Sequence, residues 1–437
     1  MAAQPVPRPR VRRVEPRLQL HLELNPAWTR RTRASPEILQ YMRDMVTKFD
    51  LWPLIRLNTG IASCRWDDDA AQWEVTTDGG EVLEADVVIS GQGMFGELKY
   101  PEIEGRDSFA GIALHTGNWD ETLDLTGKRV GVIGSAASAV QSIPVIAQSA
   151  AHLSVFQRSP NWVLPKDDVA HTPEQLEAFA TDRDALLEHH NGIMSGVGPS
   201  IPFSNPESVK IAEWVAACAI EVVEDPEVRK ALTPDTPWGC TRPLFSNDYY
   251  PTFNRDNVQL VTSGITRIMP TGIVTADGVE HELDVIVFAT GYHVDKFASR
   301  IPITGRNGLP LAEAWDDGAQ AYLGMTTAGF PNLFMLYGPN TNQGSLIPMI
   351  EYQVQYVTKL LTAMDDAGIR WVDVKRDVMD EYNEKLQAAL DGFDVWKGGC
   401  SHYYLAESGR MVTQYPWSMW DFRAAVETPN LDDFETA

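Results

Sequence analysis

The sequence KRVGVIGSAASAVQSIPVIA, residues 128–147, decides the fold. It begins with a short apolar run typical of a buried strand, Lys128–Ile133, and continues through a turn of small residues, GSAAS at 134–138. The remainder, Ala139–Ala147, has helical character, and a second apolar run follows at Leu153–Gln157. Strand, small-residue turn, helix and strand at this spacing form a βαβ unit of the nucleotide-binding type. The spacing therefore predicts an α/β protein with a parallel sheet.

The turn has the residue types expected of a dinucleotide-binding loop. Gly134 would allow the tight turn, and Ala139 would allow the helix to pack closely on the strand. Ala136 stands where such loops commonly have a second glycine, so its Cβ would crowd a pyrophosphate and weaken binding. On the pattern alone, a small-residue turn that binds nothing remains an alternative. The candidate cofactor contacts are Gly134, Ser135, Ala136, Ala137, Ser138, Ala139, Val140 and Gln141.

The end of the second strand bears on the choice of cofactor. Arg158 follows Gly134 by 24 positions and is followed by Ser159. An NAD-binding unit would place an acidic residue near this point for the ribose hydroxyl, whereas an NADP-binding unit places an arginine for the 2′-phosphate. Arg158 and Ser159 therefore favour NADPH over NADH. The plain alternative is a solvated arginine at a strand end.

Composition excludes several classes of protein. The 437 residues, 44% of them hydrophobic, suit about three compact units. There are 60 acidic and 36 basic residues, a formal net charge of −24, which disfavours nucleic acids and anionic membranes as partners. No apolar run approaches the roughly 18 residues of a membrane helix, and the Arg-rich start lacks the apolar core of a secretory signal.

The four cysteines point to a reducing compartment. Cys64, Cys218, Cys240 and Cys400 are scattered and form no CxxC pair. This spacing argues against a disulfide scaffold and against a zinc ribbon, so we predict no metal site. The absence of a CxxxxC pair also excludes a disulfide reductase. A cytoplasmic location is predicted.

Further strands and helices are predicted on both sides of the central unit. Residues 1–22, rich in Arg and Pro, are predicted to be a disordered arm. Helical spacing indicates a helix over Pro36–Phe49, and Asp78-Gly79-Gly80 indicates a hairpin between alternating runs. The second run ends in Val87–Ser90 and enters Gly91-Gln92-Gly93, which places its end at a ligand crevice. The remaining segments are an inserted helical region at 160–235, strands at 257–290, a buried strand at Leu333–Tyr337 and two amphipathic helices over Glu351–Leu390.

The segment FAGIALHTGNWD, Phe109–Asp120, precedes the central unit. By chemistry alone, a histidine near aromatic residues is most often a hydrogen-bonded structural histidine. The segment nevertheless resembles FxGxxxHxxxW(P/D), the fingerprint of Baeyer–Villiger monooxygenases, a branch of the flavin-containing monooxygenases. The stretches NPAWTRR, VFQRSPNW and FATGY are similar to the same branch, from about residue 20 to the end. The fingerprint positions are Phe109, Gly111, His115, Trp119 and Asp120.

This resemblance implies a fold and a domain order. The fold would be a two-dinucleotide-binding-domain, Rossmann-like α/β flavoprotein, in which FAD and NADPH occupy separate doubly wound sheets. Residues 23–105 would form the first part of the FAD-binding domain and 289–437 its second part with the C-terminal helices. Residues 106–288 would form the linker and the NADP-binding domain. His115 and Trp119 would serve the coupling between domains.

The resemblance also implies site residues. Arg242 matches the active-site arginine, and a guanidinium suits this role because it stays protonated and can stabilise anionic intermediates. Arg158 and Ser159 match the pair that contacts the NADPH phosphate. Thr241 stands where family members have a lysine that also contacts this phosphate, so the NADPH preference is weakened. The positions expected beside the flavin are Ile61, Gln92 and Leu346.

The implied reaction inserts one oxygen atom from O₂ next to a ketone carbonyl and gives an ester or lactone. N- or S-oxygenation is an alternative. A third possibility follows from a departure: family members open with a Gly-rich strand–turn–helix for the FAD pyrophosphate, but here no glycine precedes Arg30. The chain would then be a truncated family member, with the first βαβ of the FAD domain missing, that is catalytically silent and still binds NADP. Neither the ketone nor the oligomeric state follows from the sequence.

Overall fold

The computed structural model describes residues 13–14, 19–33, 35–195, 205–294, 297, 301–396 and 404–437. Within these ranges the strands are β1 Arg13–Val14, β2 Thr32–Arg33, β3 Ile61–Asp67, β4 Gln72–Thr77, β5 Val82–Ala85, β6 Val88–Ser90, β7 Ile112–His115, β8 Arg129–Ile133, β9 His152–Phe156, β10 Val163–Leu164, β11 Leu244–Phe245, β12 Val258–Val261, β13 Ile265–Met269, β14 Gly272–Thr275, β15 Glu280–Glu282, β16 Val285–Phe288, β17 Ile303–Thr304, β18 Leu333–Met335, β19 Val372–Val374 and β20 Phe434–Thr436. The α-helices are α1 Ser35–Lys48, α2 Ala137–Ile146, α3 Pro173–Thr181, α4 Arg183–Ser195, α5 Pro206–Ile220, α6 Pro226–Leu232, α7 Tyr249–Thr252, α8 Leu311–Ala314, α9 Leu346–Ala367, α10 Arg376–Leu390 and α11 Met419–Ala425.

A five-stranded parallel sheet occupies the middle of the chain, in the order β12-β9-β8-β16-β7. Its central strands β8 and β16 consist almost entirely of apolar residues because both of their faces are covered. In β16, Val285 and Val287 pack towards α2, whereas Ile286 and Phe288 pack towards the three-stranded antiparallel sheet β13-β14-β15. The predicted βαβ unit is confirmed as β8, α2 and β9.

A second sheet has the strand order β17-β3-β4-β5. Strands β3, β4 and β5 precede the five-stranded sheet in sequence, and β17 follows it. The hairpin at Asp78-Gly79-Gly80 is confirmed between β4 and β5. The prediction of one continuous run ending at Ser90 was wrong. The chain leaves β5 at Ala85 and starts β6 at Val88, and these two strands belong to different sheets. Alternating apolar residues can continue through such a change of sheet, so the periodicity did not reveal it.

The two-stranded sheet pairs β6 with β18 in parallel, with Ser90 opposite Met335. The resemblance implied a second doubly wound sheet at this place. Asn332, with a φ of +51°, is buried beside it and acts as a clamp. Its Nδ2 donates to the carbonyl oxygens of Asp86 at 2.8 Å and Arg370 at 3.0 Å, and its Oδ1 accepts from the Val372 N–H at 2.9 Å.

The chain passes between these two parts of the molecule twice, and the two crossings lie side by side. The Lys99 N–H donates to the Gly291 carbonyl oxygen at 2.9 Å, and the His293 N–H donates to the Glu97 carbonyl oxygen at 2.9 Å. These bonds make a short antiparallel junction between residues 97–99, which precede β7 in sequence, and residues 291–293, which follow β16.

Several helix boundaries differ from the prediction. Within the predicted helical region 160–235, α3 and α4 are separated at Asp182, and α9 begins at Leu346, before the predicted Glu351. The disordered arm predicted for residues 1–22 extends too far along the chain. Gln19 is already buried, and its Oε1 accepts from Trp28 Nε1 at 2.8 Å, while residues 1–12 and 15–18 lie outside the described part. No helix in the described ranges is long and apolar enough to span a membrane.

Candidate active site

The residues from Gly134 to Ser138, termed here the cofactor turn, connect β8 to α2. Gly134 has a φ of +126°, and a Cβ on it would lie 2.5 Å from the Ala289 carbonyl oxygen. Only glycine fits this position. Ala136, the N-cap residue of α2, has a φ of −89°, so its side chain causes no backbone strain.

The N-terminus of α2 faces out of the sheet at the cofactor turn. The Ala136 side chain makes no capping bond, so the first N–H groups of α2 can donate to a pyrophosphate. The predicted contact residues divide into two groups. Ala139 and Val140 are buried in the core between α2 and the sheet, whereas Ser135 and Ser138 are half-buried at the turn.

Arg158 and Ser159 follow β9 at the same carboxyl edge of the sheet, and both side chains are exposed. The Ser135 hydroxyl donates to the Ser159 carbonyl oxygen at 2.6 Å, which fixes this segment beside the cofactor turn. Gln141, by contrast, donates from Nε2 to the Ala137 carbonyl oxygen at 2.8 Å in its own helix. An arginine beside the turn fits the 2′-phosphate of NADP.

Residues 236–242, termed here the arginine loop, lead into β11. Arg242 is exposed and Thr241 is half-buried. The Thr241 hydroxyl donates to Asn161 Oδ1 at 2.9 Å, and Asn161 Nδ2 donates to the Ser135 carbonyl oxygen at 3.1 Å. These bonds connect Thr241, the residue immediately before Arg242, to the cofactor turn. No local pattern predicts a role for Asn161, although it lies in the VFQRSPNW stretch.

Aromatic side chains outside the sheet also hold the arginine loop. Trp162 Nε1 donates to the Thr236 carbonyl oxygen at 2.7 Å, and Trp396 Nε1 donates to the Gly239 carbonyl oxygen at 3.2 Å. Cys240, next to Thr241, is disulfide-bonded, in contrast to the reduced cysteines expected from the sequence. The loop that carries Arg242 is thus anchored at several points.

His115 of the fingerprint lies at the end of β7 and is buried. Its Nδ1 accepts from the Gly117 N–H at 2.9 Å, and its ring lies 5.2 Å from the Tyr100 ring and 5.8 Å from the Tyr292 ring. Burial lowers the pKa of His115. The imidazole therefore packs, as a neutral ring, against residues that flank both crossings between the two parts of the chain.

The other fingerprint residues fix the ends of the same segment. Phe109 packs on the face of the sheet opposite α2, and Trp119 packs on the face that α2 covers. A Cβ at Gly111 would lie 2.5 Å from the Asp284 carbonyl oxygen. Asp120 accepts from the Thr122 hydroxyl and N–H, which lowers the pKa of its carboxyl.

The residues predicted beside the flavin lie in the other part of the molecule. Gln92 is exposed just after β6, and Leu346 is the first residue of α9, which follows β18. Since β6 and β18 are parallel, the chain leaves both strands at the same edge of the two-stranded sheet, where α/β proteins bind ligands. Gln92 lies two residues after β6, whereas Leu346 lies 11 residues beyond the end of β18. Ser345 is the N-cap residue of α9. Ile61, half-buried, is the first residue of β3.

Comparisons with a family model and with individual proteins relate this chain to oxidoreductases, among them several monooxygenases. Residues 18–183 match the family described as pyridine nucleotide-disulphide oxidoreductase. The chain is 39% identical over 411 residues to a Baeyer–Villiger monooxygenase of Pseudomonas aeruginosa, covering 92% of this chain and 77% of that one. It is 35% identical over 396 residues to the phenazine N-monooxygenase PhzNO1 of Lysobacter antibioticus, covering 81% of this chain and 73% of that one.

The fold comparison agrees with the sequence comparison. The crystal structure of OTEMO in complex with FAD and NADP superposes with a TM-score of 0.85 at 28% identity, covering 94% of this chain and 86% of that chain. This chain belongs to the Baeyer–Villiger monooxygenase family. The relationship confirms three predictions from the sequence: the family, the Rossmann-like α/β flavoprotein fold and the assignment as a monooxygenase.

Proposed function

We propose that this family member is an FAD- and NADPH-dependent monooxygenase that converts ketones into esters or lactones. The observation that carries the proposal is the hydrogen-bonded path from the cofactor turn at Ser135 through Asn161 to Thr241, next to Arg242. This path leads from the turn that suits a nicotinamide dinucleotide to the residue before Arg242, which supports a role for a permanent cation at this site. The FAD and NADP complex of a structurally similar protein supports the choice of both cofactors.

Each group of residues has a distinct part in the proposed reaction. The first N–H groups of α2 bind the NADPH pyrophosphate, and Arg158 binds the 2′-phosphate. FAD, once reduced, supplies the activated oxygen from O₂ that the reaction transfers. Ketone, O₂, NADPH and a proton give ester, NADP⁺ and water.

Arg242 acts on the ketone. When the carbonyl carbon is attacked, negative charge develops on the carbonyl oxygen, and a fixed guanidinium stabilises that charge without any change in its own protonation. Thr241 stands where the resemblance leads us to expect a lysine, so in this proposal Arg158 carries most of the charge that recognises the 2′-phosphate.

Expression of residues 1–437 tests the proposal directly. A yellow protein that oxidises NADPH when offered cyclic or aromatic ketones, and that forms esters, supports it. A colourless protein without NADPH oxidation would instead favour the catalytically silent alternative. The visible spectrum, NADPH absorbance and gas chromatography of the products are the measurements.

Substitution of Arg242 tests its role. Arg242→Ala should lower ester formation at least about 100-fold while NADPH oxidation continues, because only the developing charge on the ketone loses its partner. Arg242→Lys should retain part of the activity. Arg255→Ala, an exposed arginine just before β12 at the opposite edge of the sheet, is the control. Ester yields unaffected by Arg242→Ala would remove this residue from the proposed role.

N-oxygenation is a second candidate, favoured by the identity of 35% to the phenazine N-monooxygenase. This reaction does not attack a carbonyl group, so it has no need of Arg242. An enzyme that oxidises a phenazine equally well in the wild type and in Arg242→Ala, and that forms no ester, would support this candidate.

A further inference from the structure

The two ends of the Asn161 amide contact different parts of the site. Nδ2 donates to the Ser135 carbonyl oxygen at 3.1 Å and to its hydroxyl oxygen at 3.2 Å, while Oδ1 accepts from the Thr241 hydroxyl at 2.9 Å. The Ser135 hydroxyl donates onward to the Ser159 carbonyl oxygen at 2.6 Å. The half-buried amide therefore has its donor directed at the cofactor turn and its acceptor at the arginine loop.

Backbone pairing fixes the position of this amide. β10 and β11 are parallel, with Val163 opposite Leu244, so Asn161 and Arg242 occupy corresponding positions two residues before the pair. At the other end of the same pair, Asn247 makes a similar bridge, from its Nδ2 to the Lys166 carbonyl oxygen at 2.8 Å and from the Lys166 N–H to its Oδ1 at 2.7 Å. Two asparagines thus flank one strand pair, and the hydrogen bonds of Asn161 include the cofactor turn.

A long exposed arginine stabilises charge effectively only when its backbone is held at a fixed place. Trp162 and Trp396 anchor the arginine loop through the carbonyl oxygens of Thr236 and Gly239, neither of which belongs to the turn. Asn161, by contrast, bonds Ser135 of the turn and the residue immediately before Arg242.

We propose that Asn161 is a positioning residue, which joins the cofactor turn to the arginine loop and holds Arg242 at a defined place relative to the bound nucleotide. The hydrogen bonds of Asn161 to Ser135 and Thr241 are termed here the joint. The existence of the joint does not depend on the proposed function, whereas its effect on catalysis rests on that function. When the bonds to Ser135 or the bond to Thr241 are lost, NADPH still binds and is still oxidised, but Arg242 is misplaced. Less ester therefore forms per NADPH consumed.

The catalytic test compares Asn161→Ala, Thr241→Val and their double variant. Each single substitution should lower the ester formed per NADPH oxidised about five- to tenfold, the size expected for one or two hydrogen bonds. If Asn161 acts through Thr241, the double variant should be no worse than the poorer single variant. Asn247→Ala weakens the same strand pair without contact to Ser135 and should leave the ratio unchanged. A double variant whose loss is the product of the two single losses would overturn the proposal.

A second measurement is independent of the proposed reaction. Amide hydrogen exchange of Gly134 and Val140, whose N–H groups donate to the carbonyl oxygens of Phe156 and Ala136, should be about fivefold faster in Asn161→Ala and in Thr241→Val than in the wild type, in the protein without added nucleotide. Thr241→Ser keeps the hydroxyl and should restore slow exchange. Equal exchange in Asn161→Ala and Asn247→Ala would overturn the joint. A protein that consumes no NADPH would refute the proposed function, and the exchange data would still decide whether the joint exists.

Discussion

The five-stranded sheet and the two-stranded sheet use parallel strands in different ways. All partners in the five-stranded sheet lie between Ile112 and Phe288, and α2 connects two of its neighbouring strands directly. In the two-stranded sheet, Val88–Ser90 pairs with Leu333–Met335, far along the chain. The central strands β8 and β16 of the first sheet are buried on both faces, whereas Ile89 of the second is 48% exposed. Residues close in sequence thus build the cofactor turn, whereas distant segments have to meet before the two-stranded sheet can form.

The largest difference between the two regions should come from Gly134. Gly134→Ala forces a Cβ to 2.5 Å from the Ala289 carbonyl oxygen at a φ of +126°. Strain and overpacking together should lower the free energy of unfolding by about 4 kcal/mol and raise the KM for NADPH at least about tenfold. Gly278→Ala, at a φ of +82° with no atom near its Cβ, is the control and should cost about 1 kcal/mol. Equal losses in the two variants would show that the close approach to Ala289 has no effect on the turn.

A matched pair of isoleucines compares the two sheets directly. Ile286 is fully buried in β16, whereas Ile89 is 48% exposed in β6. Ile286→Ala should cost about 3 kcal/mol because it leaves a cavity, and Ile89→Ala about 0.5 kcal/mol. Urea unfolding followed by circular dichroism gives both values. If Ile89→Ala proves as costly as Ile286→Ala, the two-stranded sheet is covered in solution to the same degree as the five-stranded one.

The smallest predicted effect is the change of stability with pH that the ion pair of Asp284 and Arg129 causes. Asp284 accepts hydrogen bonds from the Arg129 side chain and N–H at the start of β8, which lowers the pKa of its carboxyl to about 2. A lowered pKa in the folded state means stabilisation above the ordinary pKa near 4, which is lost as the pH falls from about 4 to 2. Since the pair is exposed to solvent, the effect should stay below about 1 kcal/mol.

Urea midpoints between pH 5 and pH 2.5 check this prediction. Asp284→Asn should be slightly less stable than the wild type at pH 7 and should lose less stability on acidification. The clamp of the two-stranded sheet, Asn332, is a neutral amide and contributes no such dependence. If the urea midpoints of the wild type and of Asp284→Asn fall equally as the pH is lowered, the ion pair of Asp284 and Arg129 does not cause the predicted pH dependence.

The sequence predicted features whose partners are close along the chain. The strand–turn–helix at 128–147 and the hairpin at Asp78-Gly79-Gly80 depend on local spacing, and both are present. The sheet change between Ala85 and Val88 was missed because the partner of β6 lies near residue 334. Asn161 was missed for the same reason. Its bonds to Ser135 and Thr241 cross long sequence distances, and no local pattern reveals them.

The junction of Lys99 with Gly291 has a consequence for the organisation of the gene product. Because the entry and exit of the segment between them are hydrogen-bonded neighbours, the whole five-stranded unit is an insert whose ends already meet. Such a unit can be excised, grafted or exchanged with only a short splice to close the host. Recombination between relatives could then exchange the five-stranded unit as one block, without rebuilding the part of the chain that receives it.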